Sequence, residues 1–269
     1  MRSFRRVFLS LGLLLVGTIA IAQQTQQQTK PFEPQVGQAG KDVVWVPTPQ
    51  TLVDKMMELA KVTAQDTVYD LGSGDGRTVI TAAKRGARAM GIEYNPDMVE
   101  LSKRNAAAEG VSSRATFMKA DLFETDFSEA TVITMFLLPS INLQLRPKIL
   151  AMKPGTRIVS NTFTMEEWEP DEKATIEPCE RWCTALFWLV PAKVEGSWRT
   201  AQGQTLKLNQ KFQMVSGALG SSALSEGKLR GDQLTFKMDG AQYTGQVNGN
   251  TIRGTMTSQG KSSEWTATR

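Results

Sequence analysis

Between residues 68 and 160, five short apolar runs alternate with helical stretches: the runs lie at 68–72, 88–93, 115–120, 131–137 and 157–160, the helices near 78–85, 97–109 and 140–151. A chain that keeps this rhythm has few choices: successive strands lie parallel, crossovers are right-handed and helices cover both faces. The expected fold is therefore α/β, Rossmann-like, around a mainly parallel sheet. Ahead of it, "QTLVDKMMELAKV" places Leu52, Met56, Leu59 and Ala60 on one helical face. Behind it, "KATIEP" and "CTALFWLVP" flank what reads as a tight three-residue turn, so they form an antiparallel edge hairpin with Cys179 opposite Cys183. In an oxidising compartment the two thiols would bond; in a reducing one they would stay free.

Composition changes at both ends of this region. Beyond Pro191 the chain turns to Gly, Ser, Thr and Gln with period-two runs such as "TLKLNQKFQMV" and "DQLTFKM", and "DG" at 239–240 and "NGN" at 248–250 supply tight turns. Residues 194–269 are thus expected to form a small all-β C-terminal domain, a barrel or a sandwich. At the other end, "MRSFRR" precedes sixteen uncharged residues that close on Ala20-Ile21-Ala22, the layout of a secretory signal peptide over 1–22. Residues 23–40, rich in Gln, Pro and Gly, read as a flexible tether, leaving 41–193 as the α/β domain. The body is then periplasmic or secreted, or held at the inner membrane by a retained anchor. It would carry 28 Lys+Arg against 27 Asp+Glu, divided as 19 against 22 in residues 23–193 and 9 against 5 in 194–269. That balance is no electrostatic footprint for nucleic acid. With no histidine in the chain and only two cysteines, no metal site is assigned.

The chemistry concentrates at the ends of the first three strands. In "VYDLGSGDGR" a strand ends at Asp70 and runs into Gly72, Ser73, Gly74, Asp75 and Gly76, a loop expected to turn sharply and expose amides at the start of a helix. The spacing is Gly-x-Gly-x-Gly, which argues against the dinucleotide fingerprint of an NAD-type oxidoreductase. An acidic group at position 70 suits an ammonium better than a pyrophosphate. Glu93 closes the second strand, followed by Tyr94, where a carboxylate can accept two ribose hydroxyls. Asp121 follows the third strand, placed to meet an adenine amino group, with Leu122 supplying an amide. Together they describe a pocket for a ligand with an amine, a ribose and an adenine.

With "DLGSGDGR", "GIEYNPDMVELSKRNA" and "KADLFE" in this order, residues 45–190 resemble a class I S-adenosylmethionine-dependent methyltransferase. Within that class "VPTP" at 46–49, "EYNPDMV" and "VITMFLLPSINLQLRPKIL" are similar to the ATP synthase c-subunit lysine methyltransferase group. The resemblance implies a seven-stranded sheet ending in the antiparallel hairpin, S-adenosylmethionine as cofactor, and Trp45 to Thr48 folded over it. It also implies an amine-type acceptor, with a protein lysine as candidate, and "FLLPS" lacks the signature of adenine and glutamine N-methyltransferases. Met135 and Phe136 are the candidates for the wall of the acceptor channel. A donor made in the cytoplasm would have to reach an exported body, so the alternative expectation is an exported, noncatalytic module that binds an adenosine-like ligand or a protein partner.

Overall fold

Leu52, Val53, Met56 and Met57 share one face of helix α1 (Gln50–Leu59), and all four are buried where that face meets the sheet. The computed structural model describes residues 32–269; the expected signal peptide and the tether up to residue 31 lie outside the described residues. Five strands follow in the expected rhythm: β1 (Thr67–Leu71), β2 (Arg88–Glu93), β3 (Ala115–Lys119), β4 (Val132–Met135) and β5 (Arg157–Asn161). Helices α2 (Arg77–Lys84), α3 (Pro96–Ala108) and α4 (Pro139–Leu150) supply the crossovers. With β6 (Glu172–Thr175) and β7 (Thr184–Leu189) they make a seven-stranded sheet in the order β3-β2-β1-β4-β5-β7-β6. The first five strands are parallel and β7 runs antiparallel to both neighbours.

Local chemistry explains the boundaries. Asn95 caps α3 by accepting from the Asp97 amide at 2.9 Å, and Pro96 takes the first helical position, where its missing N–H costs nothing. All four residues of β4 are buried, because helices cover both faces of this central strand. Val132 belongs to the cluster packed by α1 and α2, whereas Ile133 belongs to the one packed by α4 and Trp168. The order reverses between β1 and β4, which opens a crevice at their carboxyl ends.

The hairpin differs from the expected tight turn. Residues 176–183 form a loop between β6 and β7, and both cysteines lie within it rather than across two strands. They are bonded, with Cα atoms 5.8 Å apart. The apolar run in the sequence extends from Cys183 onward, but pairing starts only at Thr184, because the loop needs the preceding residues to turn.

The C-terminal region is a closed antiparallel barrel. Its strands are β8 (Gly196–Thr200), β9 (Thr205–Lys211), β10 (Met214–Leu219), β11 (Ser222–Ala223), β12 (Ser225–Arg230), β13 (Gln233–Met238), β14 (Ala241–Asn248), β15 (Thr251–Ser258) and β16 (Lys261–Thr268). β9 pairs with both β8 and β10, and β16 returns to β8, so the ring closes and leaves β11 as a short addition. Closure removes the sheet edges. Trp198, Phe236 and Trp265 with Leu208, Leu229 and Ile252 fill the interior. The expected turn at Asp239-Gly240 has φ of 49° and 75°, as a two-residue hairpin turn requires. The barrel rests on the α/β sheet through Phe212, stacked on Trp168 at 6.0 Å, and through Gln213, which donates to the Glu169 carbonyl at 2.8 Å.

Candidate functional site

The parallel register sets Asp70 beside Thr134, so their side chains meet on the same side of the sheet. The Thr134 hydroxyl donates to Asp70 Oδ1 at 2.7 Å. Asp70 is buried, and burial pushes its carboxyl up to about 7; Thr134 and Thr78 oppose the rise by hydrogen bonding, while the negative charges of Asp75 and Glu93 add to it. A cation placed here would favour the ionised form.

The glycine loop does not present its amides as expected. Those of Gly72 and Ser73 both donate to the Ile92 carbonyl, at 2.9 and 3.0 Å, and that of Gly76 donates to the Ser73 carbonyl at 2.9 Å. The Gly74 amide goes to Glu93 Oε2 at 2.9 Å. A turn this tight needs ties to the neighbouring strand, and β2 provides them. Gly74 has φ of +54° and faces Trp45: a Cβ there would lie 2.7 Å from the indole nitrogen. Gly76, at φ +83°, starts α2 against Phe117 and is not among the residues that line the cavity.

Glu93 holds the loop as well as facing the cavity, since its Oε1 accepts from the Asn95 amide at 2.9 Å. Tyr94 is half exposed at the rim. Asp121 Oδ1 accepts from the Phe123 amide at 2.9 Å, and Oδ2 is paired with Lys41 Nζ at 2.5 Å. That bond holds the Asp121 carboxyl below the usual carboxylate range and raises the Lys41 ammonium. Lys41 also stands 5.2 Å from the Tyr94 ring and 5.7 Å from that of Phe123. Nothing in the tether-like sequence around Lys41 marked it. Residues 35–40, expected to be free tether, are instead tied down: the Gly37 amide donates to the Trp45 carbonyl, and that of Trp45 to the Gln38 carbonyl, both at 2.9 Å.

This strap crosses a cavity of about 240 Å³. Trp45, Val46, Pro47 and Thr48 line it. Thr48 is clipped twice, to α2 by Arg77, which donates to its carbonyl at 2.9 Å, and to β5 by Asn161, which donates to its hydroxyl at 3.2 Å. Asp75 is held by the same Arg77, Nε and Nη2 lying 3.0 and 2.5 Å from its carboxylate. Gly72, Ser73, Leu122 and Met135 complete the wall around these groups. Phe136 extends it toward Phe163 and Trp182, which sequence reasoning missed because they approach from β5 and from the disulfide loop.

The residues fit a cationic nucleoside. Buried Asp70 sits near two further carboxylates, and the buried Ser73 hydroxyl in the cavity wall has no hydrogen-bond partner among the described residues. Fold and site together define a Rossmann-like methyltransferase. The ANTKMT methyltransferase domain matches residues 70–172. A protein-lysine N-methyltransferase of Saccharolobus islandicus is 47% identical over 138 residues, covering 50% of this chain and 86% of the relative. An ATP synthase c-subunit lysine N-methyltransferase of Rattus norvegicus is 33% identical over 164 residues, 60% of this chain and 74% of that one. Among solved structures, an RNA methyltransferase of Salinibacter ruber in complex with S-adenosyl-L-homocysteine is 47% identical with a TM-score of 0.52, covering 55% of this chain and 96% of that chain. The chain belongs to this family of S-adenosylmethionine-dependent methyltransferases, with S-adenosylmethionine as its cofactor. The barrel lies outside the residues that the family match covers.

Proposed function

We propose that the protein methylates the side-chain amine of a protein lysine. The observation that carries this reading is the division of the cavity. Its charged lining residues stand on the strap, on the ends of β1 and β2, at the start of α2 and just after β3, whereas the wall beyond β4 and β5 is built from Met135, Phe136, Leu137, Leu138, Ile141 and Phe163. The relatives from Saccharolobus islandicus and Rattus norvegicus are named as lysine methyltransferases, which supports the same acceptor. The Salinibacter ruber relative is named for RNA, but residues 23–193 here carry more acidic than basic groups, and a polyphosphate chain would gain little from that surface. The matched relatives are named as methyltransferases, so the noncatalytic alternative finds no support among them.

When bound, S-adenosylmethionine supplies a sulfonium methyl that passes in line to a neutral amine while the bonding pair returns to sulfur. In our reading Asp70 faces the cofactor's amine, Glu93 its ribose and Asp121, once released by Lys41, its adenine. The strap from Trp45 to Thr48 closes over them and excludes water. An apolar acceptor wall lowers the pKa of an entering ammonium, so the amine sheds its proton to water on the way in. The test is transfer of labelled methyl to lysine-rich protein and to RNA, followed by hydrolysis to amino acids. Label in methyl-lysine is expected; label in RNA alone would overturn the reading. We further propose that the body works in an oxidising compartment, a reading that the Cys179–Cys183 bond supports. A reporter fused after residue 40 that is active only in the cytoplasm would refute it.

A further inference from the structure

The lysine reading leaves open what receives the charged end of the acceptor. In the half of the cavity beyond β4 and β5, no charged side chain lines the wall among the described residues. Three rings meet there instead. Phe136 follows β4 directly, Phe163 follows β5, and Trp182 reaches in from the loop between β6 and β7. Phe136 and Phe163 have centroids 5.8 Å apart at an interplanar angle of 20°, and Trp182 stands 5.6 Å from the first at 61° and 5.2 Å from the second at 49°.

Ordinary core packing does not account for this trio. Core rings of this protein, such as Trp168, Trp188 and Phe236, are almost wholly removed from solvent, whereas Phe136, Phe163 and Trp182 each keep part of their surface open where they line the cavity. Trp182 also adopts φ of +60°, a backbone conformation that a bulky residue keeps only when its surroundings hold it. The residue after it is Cys183, bonded to Cys179. The loop is thus fastened at the point where it delivers the indole. Rings that present a face to a cavity without counter-charges attract alkylammonium ions through their quadrupoles, and an indole does so best.

We propose that Trp182, with Phe136 and Phe163, is the acceptor subsite: it draws in the alkylammonium end of a lysine side chain, which loses its proton to water before transfer, and it holds the cation that methylation regenerates. This rests on the lysine reading of the same cavity. The strand order separates the subsite from the carboxylates: β5 lies two places from β1 on one side, whereas β2 and β3 lie on the other. Donor and acceptor thus enter opposite halves and meet above β1 and β4.

The test uses the full chain saturated with S-adenosylhomocysteine and calorimetry with two peptides, one carrying Nε-trimethyllysine and the other its neutral tert-butyl isostere. The cationic peptide is expected to bind at least fivefold more tightly. Trp182→Ala should abolish that preference and leave S-adenosylhomocysteine affinity within twofold, whereas Trp182→Phe should keep part of the preference. Equal binding of the two peptides by the parent protein, absent binding of both, or a preference that survives Trp182→Ala would each overturn the subsite. If Trp182→Ala fails to bind S-adenosylhomocysteine and so does not fold, Phe163→Ala takes its place with the same expectations. Methyl transfer judges the parent reading separately: a cation preference without label in lysine removes the lysine acceptor and keeps the subsite, and label without preference does the reverse.

Discussion

Asp70→Asn should make the protein more stable and less able to bind its cofactor, both by amounts that the buried carboxylate sets. Folding raises the Asp70 carboxyl from 3.8 to about 7, so the native chain holds a proton that the unfolded chain has released. The associated stability is complete below the unfolded pKa of 3.8, declines as pH rises toward the folded value near 7, and is gone above it. Three pH units at 1.36 kcal/mol each put the cost of the ionised form on the order of 4 kcal/mol. Asparagine is neutral at every pH and still offers an oxygen to the Thr134 hydroxyl, which removes the cost and keeps the hydrogen bond. Its amide must also fit beside Thr78, so the expected gain at pH 8.5 is about 1 to 4 kcal/mol. Guanidinium unfolding of parent and variant across pH 5 to 8.5 reads this directly. The gap should shrink by about 1.4 kcal/mol for each unit below pH 7. Titrating groups remote from Asp70 cancel in the difference, whereas Asp75 and Glu93, whose charges act on it, do not. Calorimetry on the same samples should show S-adenosylmethionine affinity reduced by about 1 to 3 kcal/mol in the variant. A variant less stable than the parent at pH 8.5, or a gap independent of pH, would refute the reasoning.

Three more outcomes follow from the same geometry. Cofactor affinity of the parent should fall below about pH 7, by as much as tenfold per unit, because an incoming ammonium requires the ionised Asp70; a flat profile by calorimetry between pH 5.5 and 8 contradicts this. Gly74→Ala should weaken cofactor binding by about tenfold, since a methyl would lie 2.7 Å from the Trp45 indole nitrogen at φ of +54° and push the strap outward; unchanged affinity would show that the strap does not close the site. Reduction of the Cys179–Cys183 bond by a phosphine should raise the acceptor KM severalfold and leave cofactor affinity unchanged, because the loop carries Trp182 to the rings of the acceptor side. Equal loss of both would mean that the loop supports the whole sheet.

What could be read from the sequence was what a contiguous stretch dictates. The strand from Val68 to Asp70, its glycine turn and the acid closing β2 are local features, and strand–helix alternation nearly forces them onto one edge of a parallel sheet. The turn chemistry of Asp239-Gly240 was legible for the same reason. The direction of the loop amides was not, because their acceptors, the Ile92 carbonyl and the Glu93 carboxylate, come from the neighbouring strand. Lys41 meets Asp121 across a separation of 80 residues, and no pattern at either end announces the partner. The hairpin misled for a different reason: the run from Cys183 to Pro191 has the composition of a strand throughout, and only the pairing of Thr175 with Thr184 shows where the strand begins.

The two halves of the cavity differ in how their charge is compensated, and that difference constrains the mechanism. On the donor side Asp121 already holds a cation in Lys41 and Asp75 holds Arg77, while Glu93 is fixed by two backbone amides. Asp70 has only the hydroxyls of Thr134 and Thr78 to compensate it, and burial pushes it toward neutrality. A cation placed at the sheet's switch point would therefore meet in Asp70 a carboxylate that no positive side chain compensates. On the acceptor side a carboxylate would hold the lysine as its ammonium, which cannot attack; a wall of rings receives the side chain without favouring that unreactive form so strongly. A carboxylate introduced there, as in Phe163→Glu, should therefore tighten lysine binding yet slow transfer, the reverse of what an acidic general base would do at that position.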